Sequence, residues 1–325
     1  MALTRNQIKK EKRRKSGLYK FFKTISLLII TLLVIGGAAF GYLVIKAADV
    51  TSSAQQDLER GDRSEKRDMA VNPSRDSISV LFLGVDDRTE SLRGRTDAMI
   101  LATFNKDDHT IKMVSIPRDS RVEIAGRNKM DKINHAHAFG GVDTAISTVE
   151  SLFDIPVDYF VKLNFDAFME IINELGGVEL DVKFSFTEMD SNDKKGAIKI
   201  NKGLQTLNGE EALAYVRMRK ADPRGDLGRG ERQQEVIKAI IEKTASMSSI
   251  TKYDNLLDSI EKHLAMNFTF QNIVSLHKYG RSINNIETMQ LDGENSTISG
   301  VYYYKLKEES IKEISTTLKN HLGIN

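Results

Sequence analysis

The chain has 325 residues, 40% hydrophobic and 28% charged, which is globular composition with room for one large domain and an appendage. It contains no cysteine, so a disulfide framework and a thiol nucleophile are excluded. The near balance of 47 Lys and Arg against 45 Asp and Glu hides an asymmetry: residues 1–23 hold nine bases and one acid, leaving 38 bases and 44 acids, a net of −6, for the rest. A net-acidic body does not attract polyanions through its overall field, so any anion must be held by a local cluster.

In chain order, the basic tail 1–23 leads into "TISLLIITLLVIGGAAFGYLVI" (24–45), an uncharged run long enough to cross about 30 Å of hydrocarbon as a helix. The apolar core of a cleaved signal peptide is shorter, and "KAADVTSSAQQ" offers only a weak cleavage site, so the run reads as an uncleaved signal-anchor. The bases precede the span, which keeps the tail in the cytoplasm and sends the remainder outside: a single-pass type II protein of the cell membrane. With the span so close, "KKEKRRK" (9–15) reads as its flank rather than as a nucleic-acid-binding arm, and no nucleic-acid partner is expected.

Residues 46–75 are polar and read as a stem with no core element, and 76–325 as the functional domain. "SISVLFLG" (77–84) is a buried strand; "MILATFN" and "TIKMVSI" flank the turn "KDDH" as a hairpin. "GGVDTAISTVESLF" (140–153) has helical spacing with Asp143 as its cap. "VDYFVKLN" is a strand, "DAFMEIINELGG" a helix closed by glycine, and "VELDV" a strand. "LNGEEALAYV", "RGERQQEVIKAIIEKTASM", "YDNLLDSIEKHLAM" and "TFQNIVSLHKYGRSI" read as helices. Strands "IETMQL" and "GVYYYKL" and the helix "KEESIKEISTTLKN" close the chain. This alternation predicts a mixed α/β fold: one domain with a mixed central sheet sandwiched by helices.

Three clusters carry chemistry. "GVDDRTESLRGRTDAM" (84–99) runs from a strand into a loop with Asp86, Asp87, Arg88, Arg93, Arg95 and Asp97. Carboxylates at both ends of such a loop can converge on one hard cation, although a solvated loop with local salt bridges reads equally from these residues. "SIPRDSRV" (115–122) ends a strand at Pro117 and continues with Arg118, Asp119 and Arg121, at the place where open sheets build ligand sites. "YVRMRKADPRGDLGRGERQQ" (215–234) holds five arginines. If "YVRMR" is extended, Arg217 and Arg219 share a face; if a helix starts near Gly228, Arg229, Arg232 and Gln233 stack on one side. Guanidinium groups are suited to bidentate capture of phosphate, so a diphosphate between these elements is one reading and a solvent-exposed charged face the other. His135 and His137 in "KINHAHAFGG" read as structural rather than metal-binding. No nucleophile elbow, P-loop or H-E-x-x-H is present.

"LFLGVDDR…GRTDAM", "VSIPRDS", "KINHAHAFGG", "YFVKLNF", "LGGVEL" and "LNGEEALAYVRMRKADPRGDLGRGERQQ", in this order after one N-terminal span, resemble the LytR-CpsA-Psr family, and within it the LytR-type teichoic acid transferases. The resemblance covers nearly the whole chain. It implies an enzyme of the outer membrane face of a Gram-positive cell, a phosphotransferase that moves an anionic glycopolymer from an undecaprenyl diphosphate carrier to a peptidoglycan sugar hydroxyl, the C6 hydroxyl of N-acetylmuramic acid. It further implies a cofactor Mg²⁺, with Mn²⁺ as its substitute, between the diphosphate and two aspartates that match Asp86 and Asp97. Arginines matching Arg88, Arg118, Arg217, Arg219 and Arg229 would hold the diphosphate together with Gln233, and the polyprenyl chain would lie in an apolar tunnel between sheet and helices. The family has one aspartate before a variable residue and arginine, whereas Asp86 and Asp87 are adjacent here; Asp86 is the favoured ligand. Phosphoryl transfer needs charge neutralisation and positioning more than covalent catalysis, which suits this residue set, Arg118 included. Asp119 and Asp226 are candidates for the general base on position alone. A non-catalytic wall-assembly scaffold that binds the same lipid is the main alternative, and a transcriptional regulator the remote one, since the tail carries no DNA-binding motif.

Overall fold

A computed structural model describes residues 41–42, 44–87, 92–245, 263–276, 279 and 285–324. Residues Ala48–Asn325 form one compact unit; of the unit that precedes it only 41–42 and 44–47 are described. Among the described residues no helix is long and apolar enough to cross a membrane, and the apolar run 24–45 lies almost wholly outside them.

The hairpin of the N-terminal half is built from β1 (Ile78–Val85), β2 (Thr96–Phe104) and β3 (Ile111–Ser115), all three rich in β-branched or large apolar residues. Two short polar strands, β4 (Arg121–Ile124) and β5 (Lys129–Lys132), pair with each other and precede α1 (His135–Phe153). Then come β6 (Tyr159–Asn164), α2 (Phe165–Glu174), β7 (Val178–Val182), β8 (Phe186–Glu188), β9 (Ile198–Ile200) and β10 (Gly203–Leu207). Helices α3 (Gly209–Arg217) and α4 (Asp226–Ala245) follow, and the chain ends with β11 (Leu264–Met266), α5 (Phe270–Ser275), β12 (Ile286–Gln290), β13 (Gly293–Ile298), β14 (Val301–Leu306) and α6 (Glu308–Leu322).

Six strands make the central sheet in the order β11-β6-β1-β2-β3-β12. It is mixed: β1 runs antiparallel to β2 and parallel to β6, and β3 runs antiparallel to β2 and parallel to β12. Side chains alternate across β1 with period two. Leu81 and Leu83 join Leu101 and Val114 in a core closed by Ile146, Val149 and Phe153 of α1 and Ile314 and Leu318 of α6. On the other face Phe82 meets Ile100, Met113 and, from α4, Ile237, and Val80 packs with Tyr159, Met266 and Phe268. The sheet is therefore covered by helices on both faces, as the alternation of elements predicts.

A second core lies under α2, α3 and the β7–β10 pair, where Ile172, Val178, Leu207, Leu213 and Val236 are buried together. Helix α3 is started by a capping box in which the Asn208 side chain accepts from the Glu211 N–H and the Glu211 carboxylate accepts from the Asn208 N–H. It approaches α2 so closely that a Cβ on Gly209 would stand 2.4 Å from the Met169 carbonyl oxygen.

Several expectations are corrected here. Asp143 does not cap a helix: α1 begins eight residues earlier, is broken at Gly140 and Gly141, and Asp143 accepts instead from the Glu59 N–H at 2.9 Å. Leu264–Met266, read as the end of a helix, is strand β11 because it completes the edge of the sheet beside β6; residues 253–262 lie outside the described set. In "TFQNIVSLHKYGRSI" only Phe270–Ser275 is described as helix. "YVRMR" is not extended: α3 continues through Arg217 and only Met218 turns to β geometry. The stretch read as a stem without core elements packs onto the domain. Leu58 enters the main core, Arg60 pairs with Glu150 at 2.8 Å and Arg67 with Asp158 at 2.8 Å, contacts that a window of polar composition conceals.

The α2–α3 approach is directly testable. Gly209→Ala forces a methyl group into backbone that has no flexible end to yield, so it should destabilise the protein by about 1–3 kcal/mol, read as a lower urea midpoint. A midpoint equal to wild type would mean that the two helices are farther apart than described.

Candidate active site

On the face of the sheet covered by α4 an apolar cavity of about 570 Å³ separates β1, β2 and β6 from α2, α3 and α4. Phe82, Ile100, Val161 and Leu163 form its floor; Phe165, Phe168, Ile171, Leu213, Val216, Ile237, Ile240 and Ile241 form its walls. The polar lining comes from Asp86, Asp97, Arg118, Asn164, Glu188, Arg217, Arg219, Lys220, Arg229 and Gln233. An apolar hollow with a small set of convergent polar groups is what a ligand site requires.

Each polar group has a local reason for its place. Asp86 follows the last residue of β1, and Arg118 follows Pro117 at the end of β3. Asp97 sits in a bulge. Gly84 faces Ala98 and Val85 faces Thr96, so Asp97 is the residue without a partner on β1. Such an insertion re-aims a side chain, and here it lets Asp97 join the cavity lining. Arg217 ends α3; its guanidinium lies 5.3 Å from the centre of the Phe165 ring and 3.1 Å from Asp193. Arg229 and Gln233, one turn apart on α4, both line the cavity, and the Gln233 amide donates to the Asp97 carbonyl at 3.4 Å.

The electrostatics couple these groups. Arg118 donates to the Asp97 carboxylate. Burial disfavours its charge, but Asp97, followed by Asp119 and Asp226, outweighs that and raises its pKa. Arg229 is buried, and burial above all, opposed by Asp226 and Asp97 and reinforced by Arg118 and Arg219, brings its pKa down to about 10. It still carries its charge at neutral pH.

The two aspartates proposed on position alone are not in the cavity lining. Asp119 accepts from Lys132 Nζ at 2.7 Å, and its other oxygen is 3.8 Å from Arg118 Nε. Asp226 opens α4 with one oxygen 2.7 Å from Arg229, an off-axis pairing that leaves both buried oxygens without an aligned hydrogen bond. Arg232 does not join Arg229 and Gln233. It is buried and donates to the Asp222 carboxylate at 2.6 Å and to the Tyr215 carbonyl at 3.0 Å. Arg224 lies 3.3 Å from the same carboxylate, which tucks against Gly228, where a Cβ would stand 1.8 Å from Asp222 Oδ2. Arg88 lies outside the described residues.

The histidines do not meet. His135 is 3.1 Å from Asp131, and His137 Nδ1 is 2.8 Å from the Gly94 carbonyl oxygen, a bond that braces the loop leading to Asp97. Among the described residues no three His, Cys, Asp or Glu side chains converge as metal ligands. Asp86 and Asp97, however, share the cavity lining, whereas Asp87 accepts from the Arg93 N–H at 2.7 Å. Two carboxylates fit a Mg²⁺ whose remaining ligands are phosphate oxygens and water. Asn164, Glu188 and Lys220 are lining residues that sequence reasoning missed. For Asn164 a signal existed: it precedes the "FDAF" helix, and its side chain caps α2 by accepting from the Ala167 N–H.

The LytR_cpsA_psr family model matches residues 41–320. This chain belongs to that family. The LytR-CpsA-Psr relatives include the polyisoprenyl-teichoic acid–peptidoglycan teichoic acid transferase TagT of Bacillus subtilis, 42% identical across 98% of this chain and 99% of that protein. TagU of the same organism, which carries the same functional name, is 41% identical across 97% and 99%. Among solved structures, TagT bound to LIIa-WTA is 44% identical and superposes with a TM-score of 0.72 over 83% of this chain and all of that one. TagT with bound octaprenyl pyrophosphate lipid gives 0.68 at 41% identity over the same shares.

The division between arginines that line the cavity and arginines that hold its frame can be measured. Arg232→Met strips the buried Asp222 of its shorter ion pair and should cost about 3–5 kcal/mol in urea unfolding. Arg224→Met removes a half-exposed partner and should cost less than about 1 kcal/mol. Equal losses would show that Asp222 does not discriminate between them.

Proposed function

We propose that this protein transfers an anionic cell-wall glycopolymer, wall teichoic acid or a polymer like it, from an undecaprenyl diphosphate carrier to peptidoglycan. The observation that carries the reading is the placement of Arg118, Arg219 and Arg229, with Asp86 and Asp97, in the lining of an otherwise apolar cavity. The family relatives act on polyisoprenyl-linked teichoic acid and peptidoglycan by name, which supports the same substrate class.

In this reading the polyprenyl chain enters between the sheet and α2, α3 and α4, where Phe82, Phe168 and Ile240 exclude water from it. The guanidinium groups of Arg118, Arg217, Arg219 and Arg229 neutralise the diphosphate, and Gln233 orients it. A peptidoglycan hydroxyl attacks the phosphorus that bears the polymer. The bond to the bridging oxygen breaks, a phosphodiester forms and undecaprenyl phosphate leaves, its new charge met by the arginines already in place. The acceptor's proton passes to a base. Asp119 and Asp226 stand near but outside the cavity lining, so either would act only after a side-chain shift. Magnesium held by Asp86 and Asp97 would supply further neutralisation of the phosphate oxygens. Residues 24–45 anchor the chain in the membrane with its domain outside the cell, where peptidoglycan is found.

Transfer of lipid-linked polymer to peptidoglycan by wild type, Arg219→Ala and Asp97→Asn, each titrated with magnesium from a chelated zero, tests this mechanism. Arg219→Ala removes a charge-assisted contact and should lower transfer about tenfold. Asp97→Asn should abolish magnesium-dependent transfer. No transfer by wild type would favour a lipid-binding scaffold, and magnesium-independent transfer would remove the metal from the mechanism. Orientation has its own check. A reporter active only outside the cell should work when fused after Asn325; activity from a cytoplasmic reporter there would overturn the anchor and the reading together.

A further inference from the structure

The reaction needs a second substrate, yet apart from the candidate bases Asp119 and Asp226 every group assigned so far serves the donor. Beside the arginines, β13 and β14 form a two-stranded hairpin separate from the central sheet. Tyr304 fastens it to the segment after β3: its N–H donates to the Asp119 carbonyl at 2.8 Å, and it bridges Ser120. The Tyr304 side chain is buried, whereas Tyr302 is 41% exposed, with Val301 and Ile298 also open at the turn. Lys132 Nζ lies 5.7 Å from the centre of the Tyr302 ring and 5.9 Å from that of Tyr303. The same ammonium group is 2.7 Å from Asp119, whose second oxygen is 3.8 Å from Arg118 Nε. Two side chains, Lys132 and Asp119, thus connect an open aromatic ring to Arg118, which lines the cavity. The Tyr302 phenol is pushed up by burial first and then by Asp119 and Asp226, while Arg219 opposes them, so the ring is within electrostatic reach of the arginine cluster. Arg121 stands 5.9 Å from the Tyr303 ring centre and makes no carboxylate ion pair among the described residues.

We propose that Tyr302, flanked by Tyr303, Lys132 and Arg121, is the docking surface for the acceptor: a carboxylate-bearing glycan chain of peptidoglycan. This rests on the transferase reading above. An in-line displacement brings the hydroxyl to phosphorus from the side opposite the leaving group. The leaving lipid phosphate points into the cavity, so the acceptor arrives from outside the lining, and Tyr302 lies outside it beyond Arg118. A pyranose presents a face of C–H groups that packs on the negative face of an aromatic ring while its hydroxyls stay in water. Arg121 supplies the charge complementary to a lactyl or peptide carboxylate.

The test uses the full chain in detergent, with lipid-linked polymer as donor and soluble uncrosslinked peptidoglycan glycan chains as acceptor. Tyr302→Ala should raise the acceptor KM about three- to tenfold while the donor KM stays put. Tyr302→Phe, which keeps the ring, should return the acceptor KM to within about twofold of wild type. Arg121→Glu, a second variant on β4 rather than on the hairpin, should raise the acceptor KM as well. An unchanged acceptor KM in Tyr302→Ala and Arg121→Glu, or a rise confined to the donor KM, overturns the docking surface. If wild type transfers nothing, the transferase reading falls by itself. Co-sedimentation of the same glycan chains with wild type and Tyr302→Ala then decides this proposal, and equal binding overturns it.

Discussion

Crowding like charges at low dielectric is the constraint around which the site is organised. Arg229 is buried at the start of α4, and both its burial and the proximity of Arg118 and Arg219 work against its charge. A guanidinium cannot escape by losing its proton, so the charge must be balanced in place. Asp226 and Asp97 do this in part, and Asp97 also accepts from Arg118. The aspartates are therefore needed to keep the arginines together even before a metal is considered. The cavity lining carries Arg118, Arg217, Arg219, Lys220 and Arg229 against only Asp86, Asp97 and Glu188, which leaves a local excess of positive charge next to an apolar cavity, in a domain that is acidic as a whole. A diphosphate joined to a hydrocarbon chain satisfies both halves of that environment.

The frame that maintains this arrangement is itself ionic. Asp222 is buried under Arg232 and Arg224, and Arg232 also donates to the Tyr215 carbonyl, so the turn between α3 and α4 is tied to the second turn of α4. Arg219 sits on that turn and Arg229 on that helix. One ion pair thus sets the distance between two ligand-facing arginines that come from different elements. The glycine at 228 is part of the same device, because only a residue without a side chain leaves room for the Asp222 carboxylate against the helix. In "YVRMRKADPRGDLGRGERQQ" the arginines look equivalent, but Arg224 and Arg232 build the support while Arg217, Arg219 and Arg229 use it.

The sheet contributes the other half of the site through its ends. β1 delivers Asp86, the bulge in β2 delivers Asp97, and the sharp exit from β3 at Pro117 delivers Arg118. Strands paired side by side hold their ends within a few ångströms of one another whatever loops follow. This is how residues 32 positions apart, Asp86 and Arg118, come to line one cavity. The same exit carries Asp119 and Arg121 toward the tyrosine hairpin, so donor-facing and outward-facing groups leave a single strand.

Much of this was already determined by the sequence. Apolar runs and their periods are local properties, and they specify β1, β2, β3, β6, α2, α3 and α6 because burial on one face is written into neighbouring residues. The motif order carried the family, and residue chemistry carried the preference for phosphate. Tertiary structure alone decided which of several equal-looking residues serve which role. Asp86 rather than Asp87 lines the cavity because a turn commits Asp87 to the Arg93 N–H, and Asp97 joins it because one strand holds an extra residue relative to its neighbour. Arg232 leaves the ligand set because Asp222, ten residues away, claims it. Leu264–Met266 became a strand because β6 offered an open edge, and residues 48–75 became part of the domain through pairs such as Arg67 with Asp158. In each case the deciding partner is distant in the chain, so no local pattern of hydrophobicity or charge records it.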